Sequence, residues 1–135
     1  MRIVVTGSRE WKDCEFIHDV LNALHQEHGV TALAEGGCRG ADACAFSWVA
    51  SVEIEDLDWH EFRADWERSG PAAGPIRNAR MLDDFKPDLV VAFKVKAKSR
   101  GTDDCIQKAK DRGIPVIVYI GPEKVEDTRA TQARK

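Results

Sequence analysis

Arg2-Ile3-Val4-Val5-Thr6-Gly7-Ser8-Arg9 reads as an apolar strand that runs into a glycine turn with an arginine beside it. The same punctuation returns twice. Gly36-Gly37-Cys38-Arg39-Gly40 follows Thr31-Ala32-Leu33-Ala34, and Arg100-Gly101-Thr102 follows Leu89-Val90-Val91-Ala92-Phe93. Repeated strand–turn–helix units bring their turns together along one edge of a parallel sheet. Glycine lets backbone N–H groups approach an anion there, and each following helix N-terminus adds a favourable dipole and unpaired donors. The pattern points to a phosphorylated small molecule, a nucleotide above all.

The bulk composition bounds this reading. A chain of 135 residues with 43% apolar and 32% charged residues is long enough for one domain with a real core. A net charge of −3 speaks against a broad nucleic-acid surface, which needs a basic face, but not against a small phosphate site. No apolar run reaches membrane-spanning length, and the N-terminus enters a strand at once, so a cytoplasmic protein with no membrane partner is expected. Cys14, Cys38, Cys44 and Cys105 include no C-x-x-C pair. A cytosolic setting would keep them reduced, with Cys44 and Cys105 as small hydrophobes on helices, and no metal site is expected.

Strands alternate with helices along the whole chain. The first strand spans about Arg2 to Thr6, and Asp13 is a plausible N-cap for a helix that stops before Gly29. Phe16, Ile17, Val20, Leu21 and Leu24 recur on that helix with helical spacing. A second strand covers about Val30 to Glu35, and a second helix Ala41 to Ser51. A weaker third strand lies around Leu57 to Phe62, followed by an irregular stretch from Arg63 to Gly74. Pro75 suits the first turn of a third helix, which Lys86-Pro87 ends. Asp88 to Phe93 is the fourth strand, Thr102 can cap a fourth helix, and Ile114 to Ile120 is the fifth strand. The result is a three-layer Rossmann-like α/β domain over residues 1–120, with a mainly parallel sheet of about five strands. Residues 121–135 read as a polar, flexible tail. In such sheets ligands bind beyond the C-terminal strand ends, where the strand order reverses.

Standard nucleotide fingerprints are absent. Arg9 and Lys12 stand where a dinucleotide motif needs glycine, and no Gly-Lys-Ser/Thr follows any glycine. Glu35-Gly36-Gly37-Cys38-Arg39-Gly40-Ala41-Asp42 is more specific, because three glycines in five residues suggest that something approaches the backbone closely. Glu35 is a candidate acceptor for a ribose hydroxyl, and Asp42 for orienting the loop. Trp66 is a candidate stacking face for a base, and Arg77 a candidate phosphate fork near a helix start. Lys94, Lys96 and Lys98 alternate, so an extended segment would put them on one face, either near a phosphate or guarding a sheet edge.

Several motifs in order resemble one family. Val5-Thr6-Gly7-Ser8-Arg9-x-Trp11, Glu35-Gly36-Gly37-x-Arg39-Gly40-Ala41-Asp42, Asp65-Trp66, Gly74-Pro75-x-Arg77-Asn78-x-x-Met81, Gly101-Thr102-x-Asp104-Cys105 and Gly113-Ile114-Pro115-Val116 are similar to the YspA-type branch of the SLOG superfamily. The resemblance spans about Met1 to Ile120. It implies a Rossmann-like domain that binds nucleotides or nucleotide-derived ligands, including ADP-ribose-like, cyclic or signalling nucleotides. It makes Gly7, Ser8, Arg9, Trp11, Glu35, Gly36, Gly37, Arg39, Gly40, Ala41, Asp42, Trp66, Gly74, Pro75, Arg77, Asn78, Arg100, Gly101 and Thr102 ligand-binding candidates. Relatives also include the Lonely Guy phosphoribohydrolases, which carry a Pro-Gly-Gly-x-Gly-Thr-x-x-Glu motif with a working glutamate. Here the glycine pair is missing and Cys105 stands in the glutamate's place, with Asp104 one position away.

Binding of a nucleotide-like signal or metabolite, as sensor or sequestering protein, is therefore the expected function. Hydrolysis of an N-glycosidic or phosphate bond is the alternative, with Asp104, Asp42 or Glu35 as acid or base. DNA binding, as in another branch of the superfamily, is disfavoured by the acidic balance. Relatives often pair through helices, but no separate apolar stripe marks a homo-oligomer face in this chain.

Overall fold

A computed structural model describes residues 1–129 of the chain. Six strands form one sheet in the order β3-β2-β1-β4-β5-β6, where β1 is Arg2–Gly7, β2 Ala32–Glu35, β3 Asp58–Glu61, β4 Leu89–Lys94, β5 Val116–Ile120 and β6 Glu123–Asp127. The first five run parallel, and the fold is a Rossmann-like three-layer α/β domain. Strand order reverses between β1 and β4, which pair from Ile3↔Leu89 to Gly7↔Phe93. That is the switch point where such sheets leave a crevice.

Alternation along the strands divides the core in two. Ile3, Val5, Leu33, Val91 and Phe93 face α1 (Cys14–His28) and α2 (Ala41–Ser51), packing on Ile17, Leu21, Leu24 and Trp48. Val4, Ala34, Val90, Ala92 and Val118 face α4 (Ala73–Phe85) and α5 (Arg100–Asp111), packing on Met81, Leu82, Phe85, Cys105 and Ala109. Asp13 caps α1 as its position suggests, its carboxylate accepting from Phe16 N at 3.1 Å. Gly29 ends that helix with φ 71°, a left-handed conformation that glycine adopts at little cost.

Four expectations need correction. The stretch after β3 is not wholly irregular: Trp66–Ser69 forms one helical turn, α3, and Gly70–Ala72 a 3-10 turn that leads into α4. Helix α5 starts at Arg100 with Ser99 at its N-cap position, so Thr102 lies inside the first turn and does not cap it. The proposed tail contains β6, which pairs antiparallel with β5 from Ile117↔Asp127 to Ile120↔Glu123; residues 130–135 of that tail lie outside the described residues. Backbone hydrogen bonds to an existing edge stabilise a strand whose side chains are largely charged. Finally, Cys14 and Cys44 are joined in a disulfide, with Cα atoms 4.9 Å apart, while Cys38 and Cys105 are free. The first residue of α1 and the fourth of α2 meet because both helices cover the same face of the sheet. No helix among the described residues is long and apolar enough to cross a membrane.

Candidate functional site

A cavity of about 530 Å³ opens at the C-terminal ends of the strands, beside the switch point. Its β1 side is built from Gly7, Ser8 and Arg9, and its α5 side from Arg100, Gly101 and Thr102. Asp42 enters from the start of α2, while Trp66, Gly74, Pro75, Arg77 and Asn78 come from α3 and α4. Two of the three glycine turns of the sequence, Gly7-Ser8-Arg9 and Arg100-Gly101-Thr102, are thus brought to one cleft, while the second contributes only Cys38. Residues that the sequence reading did not single out as ligand contacts also line it: Thr6, Glu10, Cys38, Pro71, Ser99 and Asp104. Ser99 and Thr6 were legible in principle, since each stands beside a strand or helix end already assigned to the site.

Other candidates lie elsewhere. Trp11 belongs to the core: it meets Phe93 edge-on at 5.5 Å between ring centroids, and its Nε1 donates to Asp13 O at 2.7 Å. Glu35 is 1% exposed and off the cleft, with Oε1 accepting from Gly37 N and Oε2 from Trp59 Nε1 at 3.2 Å. Gly36, Gly37, Arg39, Gly40 and Ala41 are not on the wall either. Packing inside the protein accounts for two of these glycines. A Cβ at Gly36 would overlap the Arg77 guanidinium and crowd Asp42, and one at Gly40 (φ 77°) would overlap the carbonyls of Ser8 and Arg9. The loop is glycine-rich so that the β1 turn, α2 and Arg77 can close on it. At Gly36 and Gly40 the close approach that the glycines signal is made by the protein's own groups.

Arg77 is a strut across the floor. Its Nη1 donates to Gly36 O at 2.8 Å and Phe62 O at 3.2 Å, and its Nε to Asn78 Oδ1 at 2.9 Å. Buried Asn78 in turn donates to Gly101 O (3.2 Å) and Asp104 Oδ2 (3.0 Å), tying α4 to α5. Arg9 reaches Trp66, with its guanidinium carbon 5.4 Å from the ring centroid. The hydroxyls of Ser8 and Ser99 lie 3.4 Å apart, and Ser99 Oγ donates to Thr102 Oγ1 at 3.0 Å. The cleft therefore offers an aromatic face and guanidinium groups on its α3–α4 side and hydroxyls on its β1–α5 side.

The acids in and around the cleft sit in contrasting surroundings. Burial pushes the Asp42 carboxyl up to about 6, against the Cys38 N–H and the Arg77 charge, which pull it down. Burial also raises Asp104, but hydrogen bonds from Lys108 and Asn78 outweigh it and hold that carboxyl below its usual range. Burial pushes Glu35 up to about 7, opposed by the Gly37 N–H and reinforced by the Asp42 charge. Cys105, in the position of the phosphoribohydrolase glutamate, is fully buried and its thiol is pushed up to about 12 by that burial. It is a core hydrophobe and no nucleophile.

The lysine alternation does not make one face. Lys94 is buried at the end of β4, and only Lys96 and Lys98 are exposed in the bend that follows. Because β4 lies between β1 and β5, the lysines guard no sheet edge.

The model of the YAcAr family, described as the YspA, cpYpsA-related SLOG family, matches residues 1–69. The chain belongs to that family. It is also 38% identical over 121 residues to the Gene 61 protein of Mycobacterium phage D29, covering 87% of this chain and 95% of the phage protein.

Proposed function

We propose that the cleft binds a nucleotide or nucleotide-derived ligand, of mononucleotide, cyclic or ADP-ribose-like form, and that the protein acts as its sensor or sequestering protein. Family membership supports a nucleotide-related role. The observation that carries the reading is the composition of one 530 Å³ cleft: Trp66 with Arg9 beside it, Arg100 at the mouth of α5, and the Ser8, Ser99 and Thr102 hydroxyls opposite. An aromatic face suits a base, and guanidinium groups and hydroxyls suit phosphate. A cytoplasmic setting belongs to the same proposal, although the Cys14–Cys44 bond weighs against a reducing compartment.

A second reading, hydrolysis of the bound ligand, is favoured by one observation. Asp42 and Asp104 line the same cavity with their acidities pushed in opposite directions, the arrangement that lets one carboxyl donate a proton while the other accepts one. Incubation of the purified protein with nucleoside monophosphates, NAD, ADP-ribose and its cyclic forms separates the two. A compound that raises the melting temperature and is recovered intact by chromatography supports binding. A compound recovered cleaved supports hydrolysis, and no stabilising compound in the panel would sink both.

A further inference from the structure

The cleft continues past Ser8 and Ser99. Beyond their hydroxyls a second cavity of about 790 Å³ opens, and Ser8, Glu10, Ser99 and Arg100 line both spaces. Its remaining walls are Val95, Lys96, Lys98 and Asp103.

The loop that carries the two lysines is fixed from beneath. Buried Lys94 donates from Nζ to Ala97 O at 2.6 Å and to Asp103 Oδ1 at 2.7 Å. Val95 N donates to Ser8 Oγ at 3.1 Å, and Ser99 N to Asp103 Oδ2 at 3.1 Å. A loop held this way loses little freedom when it meets a ligand. Asp103 is neutralised by Lys94, which leaves Glu10 as the other acid on the wall. Facing it are Lys96, Lys98 and Arg100, all exposed and none in an ion pair among the described residues. Cations gathered on one rim repel each other until an anion comes between them. These gather in a chain whose net charge is −3.

We infer that this second cavity is an anion subsite for a further phosphoryl group, so that the protein takes a nucleotide whose phosphate chain passes over Ser8 and Ser99 to Lys96 and Lys98. The inference rests on reading the main cleft as a nucleotide site. The direction follows from the walls: Trp66, Pro71 and Pro75 give the α3–α4 side its apolar surface for a base. The hydroxyl-bearing side adjoins the cationic cavity. A nucleoside monophosphate fills the first space alone and leaves the lysines unneutralised.

Titration calorimetry with AMP, ADP and inorganic pyrophosphate, on the intact chain and on the K96Q/K98Q variant, tests this. The expected result is ADP binding at least tenfold tighter than AMP. The variant should lose most of that advantage with AMP affinity and melting temperature unchanged, and added salt should erode the same advantage. Equal affinities for AMP and ADP, or a variant that weakens both alike, overturns the subsite while leaving the nucleotide reading intact. Pyrophosphate binding that the variant weakens, with no binding of AMP or ADP, keeps the subsite and overturns the nucleotide reading. Pyrophosphate binding that the variant leaves untouched overturns the subsite on its own.

Discussion

Replacing Cys14 and Cys44 by alanine, or reducing the bond between them, should cost the protein a large part of its stability. The bond joins residues 30 apart in sequence. Closing a loop of that length removes roughly 12 cal/mol/K of chain entropy from the unfolded state, or about 3.6 kcal/mol at 25 °C. Spread over the unfolding entropy of a domain this size, roughly 0.28 kcal/mol/K, the loss corresponds to a melting temperature lower by about 13 °C. Circular dichroism melts with and without a strong reductant would read the shift, and the double-alanine variant should match the reduced protein. A thiol count in denaturant provides the control. Two thiols, from Cys38 and Cys105, are expected before reduction and four after it. Four thiols in protein purified without reductant, or a shift below about 3 °C, would refute the reasoning.

Three further outcomes follow from the cleft and from the buried acid near it. Arg77→Ala removes the hydrogen bonds to Gly36, Phe62 and Asn78 and the charge beside Asp42, so unfolding free energy should drop by about 2–4 kcal/mol in urea titrations; an unchanged midpoint would remove its role as a strut. Trp66→Ala should weaken nucleotide binding by about 1–3 kcal/mol in calorimetry, with little effect on melting because the ring is exposed; full affinity would take Trp66 out of the site. The folded state keeps the Glu35 proton up to about pH 7, whereas an ordinary glutamate releases it near 4.5. The folded state therefore binds more protons across that window, and stability should fall by up to about 3 kcal/mol as pH rises through it. Asp42 adds to the fall with the same sign, and Glu35→Gln should flatten it; identical pH slopes for the two proteins would contradict the assignment.

The fold was legible because its strongest signals are local. Apolar runs at β1 and β4, the Asp13 cap and Gly29 each declare themselves within a few residues. Strand β6 does not, since Glu123-Lys124-Val125-Glu126-Asp127 is charged enough to pass for a solvated tail and is stabilised by pairing with β5. The site was legible as a set of turns but not atom by atom. Glycine at positions 36 and 40 signals a close approach without saying of what, and here the approaching groups are Arg77 and the carbonyls of Ser8 and Arg9. Trp11 resembles a site residue because it follows the β1 turn by a few positions, yet its ring turns inward onto Phe93. The disulfide is a tertiary fact with no local signature, since neither Cys14 nor Cys44 has a neighbour at a spacing that marks a pair.

The central place of β1 has a consequence for the making of the protein. Strands β1 and β2 can pair as soon as both exist, but the other edge of β1 waits for Leu89 to Phe93. Until then Ile3, Val4 and Val5 belong to an unfinished sheet, and an apolar strand with free backbone groups is a template for wrong partners. During synthesis β1 is therefore an aggregation hazard for as long as β4 is missing. That hazard ends only when Leu89 to Phe93 can pair with β1, and the cleft, which also needs Ser99 to Thr102, takes shape after that.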